Sequence, residues 1–224
     1  MDINRASHEL RTPLTSAIIM VDLIQEGGTP EEIKEYLQNL NSELNRQKIL
    51  IDRLLIAGRL DDGEIKLERI PMDLIPVLNE SIQAIKPIAN KRGVSLHLKA
   101  QKEVMTVLGD RSGLQQVFIN LINNAAKFSP EGSAVDVSAM QVKDEIHVSI
   151  TDHGLGIPSE ALPHLFERFY RAKNVTIAEI PGSGIGLYIV KSILEVLGGS
   201  IKGESELNKG TKFTVCLKCA ESTN

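Results

Sequence analysis

The chain has 224 residues, 42% of them hydrophobic, which is enough for one medium or two small globular domains. With 25 Lys and Arg against 29 Asp and Glu the formal net charge is −4, so no basic field points to nucleic acid or an anionic membrane. No apolar run reaches the roughly 20 residues of a membrane span, and the chain enters a helical pattern at once, without a signal-peptide layout.

The first predicted element is a helix ending at Glu26. Ile3, Leu10, Leu14, Ala17, Val21 and Ile24 recur at heptad spacing, the seam of a helix packed in a bundle. His8 lies roughly 160° around the helix from Leu10, facing away from that seam, and Thr12, Thr15, Ile19 and Leu23 continue its stripe. An apolar continuation on an outward face suits docking of a partner. Pro13 cannot donate to the carbonyl of Glu9 and is expected to kink the helix beside His8.

Gly27, Gly28, Thr29 and Pro30 supply a turn, a cap and the first position of a second helix. Its seam is Ile33, Leu37, Leu40, Leu44, Gln47, Ile51 and Leu54, so the two helices form an antiparallel hairpin. Such a hairpin buries little alone. It completes a core by pairing with a second copy as a four-helix bundle; packing on the downstream domain of the same chain is the alternative.

Near Gly63 the pattern changes, giving domains of residues 1–63 and 64–224. EIKLE reads as a short strand, and Asp73 caps a helix running to about Arg92. VSLHLKA and EVMTVLG read as strands, Asp110 caps the next helix, and SAVDVSAMQV and EIHVSIT are alternating strands. A helix near Glu160 to Arg168, a looser stretch around Asn174 to Ser183, a helix from about Gly184 to Leu197 and the strands SIKGES and TKFTVCLKC follow. Mixed strands with helices on one face make an α/β sandwich. Cys216 and Cys219, the only cysteines, fall on opposite faces of the last strand and read as structural thiols.

The helix after Asp110 places Gln116, Asn120, Asn124 and Lys127 opposite its apolar face, within roughly 40° of Asn120. Two amides and an ammonium in line suit a phosphate chain and its cation, since magnesium keeps most of its waters and accepts a single amide oxygen; a merely solvated face is the alternative. In TDHGLGIP, Asp152 stands at a strand end ahead of Gly154 and Gly156, an acceptor for a base's amino group beside glycines that admit close backbone approach. In PGSGIGLYIVK, Gly182, Gly184 and Gly186 precede a helix whose free N–H groups favour phosphate. Each motif alone is weak; their order and spacing together are specific.

In this order HELRTPLT, NLINNAAKF, DHGLGIP, LFERFYR and GSGIGLYIVK resemble the H, N, G1, F and G2 boxes of the sensor histidine kinases of two-component systems. The resemblance spans nearly the whole chain. It implies a two-helix hairpin forming a dimeric four-helix bundle, followed by a Bergerat-type α/β sandwich that binds ATP and Mg2+. By the same resemblance His8 is the phosphoacceptor, Glu9 the adjacent acid and Thr12 the residue that positions water for dephosphorylating a partner regulator. Asn124 matches the magnesium ligand, Asn120 and Lys127 positions near the phosphates, Asp152 the adenine acceptor and Phe128 a residue near the base. Gly154, Gly156, Gly182, Gly184, Gly186 and Leu187 belong to the nucleotide-binding boxes, and Arg171 and Lys173 to a lid over ATP that moves to present it to His8.

The implied partners are a second copy of the chain and a response regulator, and the implied setting is a cytoplasmic kinase core cut from a larger sensor, with any membrane region upstream. His97, His147, His153 and His164 read as structural or surface residues, although many relatives carry asparagine at the position of His153. Two other readings stay open. One is an ATP hydrolase of the topoisomerase, mismatch-repair and heat-shock-chaperone type, which would need a glutamate in place of Asn120 to activate water. The other is a catalytically silent ATP-binding scaffold.

Overall fold

The computed structural model describes residues 3–177, 180 and 182–220. The chain divides into two compact units, Met1–Arg59 and Leu60–Asn224.

The first unit is a helical hairpin of α1 (Ile3–Glu26) and α2 (Pro30–Asp61), the last two residues of α2 falling in the second unit. The turn between them is specified locally. Gly27 takes a left-handed backbone at φ 87°, which a side chain would disfavour. Thr29 and Glu32 then form a reciprocal capping box: Glu32 N–H donates to Thr29 Oγ1 at 3.3 Å, and Thr29 N–H donates to Glu32 Oε2 at 2.8 Å. These bonds from the Thr29 backbone and hydroxyl hold the Glu32 carboxyl below its ordinary range.

The hairpin differs from the single predicted seam. Pro13 and Ala17 are buried and Met20 and Ile24 half-buried on α1, while α2 shields Ile33, Tyr36, Leu40, Gln47 and Leu50. Leu14, Val21, Leu37, Leu44 and Ile51, predicted to lie in the seam, stand 39–48% exposed in the single chain. Each helix thus carries two adjacent apolar rows that share Leu10, Ala17 and Ile24 on α1, and Ile33, Leu40, Gln47 and Leu54 on α2. Alternation by four and three fits either row, because an apolar stripe wider than about 100° contains both. The helix continues unbroken through Pro13.

The second unit contains a five-stranded sheet ordered β2-β4-β5-β7-β6, with β2 (Ser95–Ala100), β4 (Ala134–Val142), β5 (Glu145–Asp152), β6 (Ser200–Glu206) and β7 (Gly210–Lys218). Only β2 and β4 run parallel. The helices α3 (Leu74–Lys91), α4 (Arg111–Phe128) and α6 (Gly186–Leu197) cover one face of it. Between them Val77, Leu78, Leu114, Phe118, Leu121, Val148, Ile189 and Leu194 lose all contact with solvent, so this layer is the core. The opposite face stays open, with Met140, Lys202 and Lys212 exposed.

A separate antiparallel pair joins β1 (Ile70–Asp73) to β3 (Thr106–Gly109). EIKLE, predicted as a strand, is irregular, because β3 offers only four partners and Ile70–Asp73 takes them all. The helix predicted near Glu160 to Arg168 is only a 3₁₀ turn at Leu162–His164. Pro163 lies in its first turn, and the chain takes a left-handed backbone at Phe169, φ 60°. The stretch predicted as loose contains the short helix α5 (Lys173–Ile177).

Both long helices of the core start at aspartates. Asp73 Oδ1 accepts from Ile75 N at 3.1 Å, and Asp110 Oδ1 accepts from Gly113 N at 2.8 Å while its Oδ2 accepts from Glu68 N at 3.2 Å. For the Asp110 carboxyl, partial burial acts upward but is outweighed by the bonds from Ser112, Gly113 and Glu68, and the group titrates below its ordinary value. Asp110→Ala is therefore expected to lower the unfolding free energy by about 1–2 kcal/mol at neutral pH, read by urea denaturation. A depressed native pKa contributes stability above the unfolded value and loses it as pH falls through the native one, so parent and variant should converge below about pH 4.

Candidate functional site

The α4 helix supplies the first side of the site. Asn120 is 4% exposed, donates Nδ2 to the Gln116 carbonyl at 2.9 Å, and holds Oδ1 3.2 Å from where a Cβ on Gly186 would lie. The predicted polar face is thus covered at its centre by the start of α6, which disposes of a merely solvated face. Lys127 Nζ sits 5.0 Å from the centroid of the Phe128 ring and 2.9 Å from a Cβ position on Gly182. Asn124, Lys127 and Phe128 are half-buried.

Asp152 forms the floor. It closes β5 opposite Thr211 of β7 and is 5% exposed. Oδ1 accepts from Gly154 N at 2.9 Å and from Thr211 N at 3.2 Å, which leaves Oδ2 with capacity for a ligand's amino group. Burial raises the carboxyl pKa above its ordinary value, opposed by the Gly154 and Thr211 amides and by the charge of His153.

The glycines are required by close approach. A Cβ on Gly154 would lie 2.1 Å from the Phe128 carbonyl oxygen, and one on Gly156, at φ 63°, would lie 2.0 Å from that of Glu206. Gly184, at φ 68°, presses on the backbone of Phe169 and Tyr170 in the same way. The first pair packs the loop after β5 against α4 and β6. The third locks the entry to α6 against the segment Phe166–Arg171.

That segment is anchored at a second point. Arg168 stacks on the Tyr188 ring at 4.3 Å and donates to its hydroxyl at 2.9 Å, while Asp61 pairs with both Arg168 and Tyr188. Arg171 donates to the Ile180 carbonyl, and Lys173 is exposed. Asn174 donates Nδ2 to the Gly156 carbonyl at 2.9 Å, tying α5 to the loop after β5. Its Oδ1 and the hydroxyl of Ser183 are buried without a hydrogen-bond partner, and a buried polar atom left unpaired is a cost that a bound polar ligand can remove. Two such atoms beside Gly156 and Gly184, with Asp152 and Lys127 on the other elements, fit a nucleotide and its phosphates.

The remaining predicted residues belong to the first unit. The backbone of His8 lies in α1, while its side chain is outside the described residues; Glu9 is half-buried and Thr12 exposed. The structure therefore gathers Asn120, Lys127, Asp152, Gly154, Gly156, Gly182, Gly184 and Gly186 in the second unit and leaves His8, Glu9 and Thr12 in the first. Leu187 is half-buried in the first turn of α6.

Sequence reasoning missed Thr211, Ser205 and Asn174. Ser205 Oγ accepts from Ile157 N at 2.8 Å and donates to the Gly210 carbonyl at 2.7 Å, joining the glycine loop to the β6-β7 turn. The one signal was Gly210, whose φ of 108° and would-be Cβ 2.0 Å from the Asp152 carbonyl oxygen explain a glycine at the first position of a strand. Asp152→Asn is expected to fold with no loss of stability at pH 7, because a raised native pKa means that ionising the buried acid opposes folding above the unfolded pKa near 4. The pH dependence of thermal unfolding should flatten in that variant. With Asp152 as the adenine acceptor that the resemblance implies, its amide nitrogen would face an amino group donor to donor, and adenine-nucleotide affinity should fall by about 2 kcal/mol, roughly 30-fold by calorimetry.

Comparison with known proteins gives the geometry its context. Residues 3–63 match the model of the His Kinase A (phospho-acceptor) domain, and residues 109–221 that of the histidine kinase-, DNA gyrase B- and HSP90-like ATPase. The chain is 33% identical over 216 residues to the alginate biosynthesis sensor protein KinB of Pseudomonas aeruginosa, covering 95% of this chain and 36% of that protein. It is 34% identical over 228 residues to the signal transduction histidine-protein kinase/phosphatase MprB of Mycolicibacterium paratuberculosis, covering 96% and 42%. The chain thus spans less than half the length of these relatives. Among solved structures, full-length ShkA in complex with AMPPNP has a TM-score of 0.72 at 26% identity, covering 96% of this chain and 45% of that one. The histidine kinase AdeS of Acinetobacter baumannii has a TM-score of 0.77 at 24% identity over 96% and 98%, which shows the shared fold. With a phosphoacceptor-type hairpin directly preceding an ATPase fold of this kind, the chain belongs to the sensor histidine kinases.

Proposed function

We propose that this chain is the catalytic core of an ATP-dependent protein-histidine kinase, with residues 1–63 as the dimerisation and phosphotransfer part and 64–224 as the ATP-binding part. The observation that carries the reading is Asp152, a buried carboxylate with one oxygen committed to two backbone amides and the other in reserve, on the same chain as the His8-Glu9 pair. Oδ2 accepts the amino group of adenine. Phe128 packs near the base, Asn120 and Lys127 lie along the phosphates, and Gly182, Gly184, Gly186 and Leu187 carry them to the start of α6. Asn124 offers an amide oxygen to Mg2+, which neutralises phosphate charge when bound. Arg171 and Lys173 add positive charge from the lid.

In the transfer, Glu9 accepts a hydrogen bond from one nitrogen of the His8 imidazole and orients the ring. The other nitrogen attacks the γ-phosphorus; the N–P bond forms, the bond to the bridging oxygen breaks, and ADP leaves with the electron pair. The labile phosphohistidine then passes its phosphoryl group to an aspartate carboxylate of a response regulator docked along Thr15, Ile19 and Leu23. Thr12, one turn from His8, orients water for the reverse duty of dephosphorylating that regulator. Leu14, Val21, Leu37, Leu44 and Ile51 form the apolar row by which two copies close a four-helix bundle. No helix of the described residues is long and apolar enough to cross a membrane.

Incubation with γ-labelled ATP and magnesium should leave acid-labile label on the parent, none on His8→Gln, and sharply less on Asn124→Asp. Persistent label on His8→Gln would remove His8 as the acceptor, and release of free phosphate without label would make the chain a hydrolase. Leu44→Glu should convert a dimer into a monomer in multi-angle light scattering, since it buries a charge in the shared row. A parent chain that is already monomeric at micromolar concentration would overturn the dimer.

A further inference from the structure

The open face of the five-stranded sheet carries a cluster of donor side chains that the nucleotide site does not use. The antiparallel register of β5 and β7 sets His147 directly opposite Cys216. Glu145, two residues before His147 on β5, points to the same side, and the His147 Nε2 to Glu145 Oε2 distance is 3.0 Å. A carboxylate oxygen of Glu145, a ring nitrogen of His147 and Sγ of Cys216 all lie within 4.8 Å of one another. Cys216 is buried, while the His147 and Glu145 side chains are 27% and 42% exposed, so the cluster has a closed base and an open mouth.

These dimensions match a coordination sphere. Metal–ligand bonds of about 2.0–2.3 Å put the ligand atoms of a tetrahedral ion roughly 3.3–3.8 Å apart, so side-chain rotations of about 1 Å or less complete the set. A surface ion pair would need only the imidazole and the carboxylate. The thiol contributed by the neighbouring strand is what an ion pair leaves unexplained. One thiolate, one imidazole and one carboxylate suit a borderline divalent ion, whereas Mg2+ and Ca2+ prefer all-oxygen sites.

We propose that Glu145, His147 and Cys216 form a binding site for a divalent transition ion of the zinc class, with three protein ligands and a fourth position open to solvent. On binding, the Cys216 thiol gives its proton to solvent and the thiolate bonds the metal, while His147 exchanges its bond to Glu145 for one to the ion. The site lies on the sheet face away from α4 and its Asn124, and no step of phosphotransfer runs through it.

The test is a Co2+ titration of the whole chain after chelator treatment, followed by competition with Zn2+ and with Mg2+. One equivalent of Co2+ should bind with a thiolate-to-cobalt charge-transfer band and the intense visible bands of four-coordination; Zn2+ should abolish them and Mg2+ leave them unchanged. Cys216→Ser should lose the charge-transfer band, His147→Ala should weaken Co2+ binding at least about tenfold, and Cys219→Ser, which alters the thiol on the opposite face, should keep the parent spectrum. Circular dichroism melts confirm that each variant is folded. A folded parent without the band, a band that survives Cys216→Ser or vanishes with Cys219→Ser, or displacement by Mg2+ would each overturn the assignment.

Discussion

The constraint on which the candidate nucleotide site depends is the burial of Asp152. A carboxylate held almost entirely out of water opposes folding unless hydrogen bonds compensate it, and here two backbone amides do so at a single oxygen. Those amides come from different places, Gly154 in the loop after β5 and Thr211 on the adjacent strand β7. The loop, the strand pair and the acid are therefore one construction. With Oδ1 committed, the second oxygen keeps its capacity to accept, so the geometry that makes the acid tolerable also gives it direction.

The glycines follow from the same demand for proximity. The loop beyond Asp152 must touch the end of α4 on one side and β6 on the other, and the separations that Gly154 and Gly156 allow leave no room for a methyl group. Gly184 does the same between the entry to α6 and the backbone of Phe169 and Tyr170. These contacts make the site a junction of five segments, with Asn174 and Ser205 hydrogen-bonding across the gaps. Asn174 Oδ1 and the Ser183 hydroxyl are the buried side-chain polar atoms that this junction leaves unpaired among the described residues.

In the hairpin the governing fact is an apolar stripe too wide for one partner. One row of each helix is shielded within the chain, and the adjacent row, Leu14 and Val21 on α1 with Leu37, Leu44 and Ile51 on α2, stays exposed. Exposed aliphatic rows at heptad spacing are what a four-helix bundle uses. The stripe through Thr12, Thr15 and Ile19 lies on a further side of α1 and is exposed as well.

The sequence by itself determined the helices and strands with strong periodicity or explicit caps: the hairpin with its turn and cap at Gly27 to Pro30, the helices behind Asp73 and Asp110, and the five strands of the main sheet. These features rest on neighbours within a few residues, so a linear reading reaches them. It also marked Asp152 and the glycines, since a residue type without a side chain betrays close approach even when the approaching group is unknown. Tertiary structure alone decided that EIKLE is not a strand, because a strand exists only where a partner has free positions, and that Asn120 is covered rather than solvated. It decided which of two apolar rows is shielded within the chain. It also placed Cys216 against His147, 69 residues apart in the numbering and side by side in the ladder. β5 and β7 are joined by no hairpin turn, since helices and β6 intervene, so no loop length near either strand fixes their register and only the assembled sheet decides it.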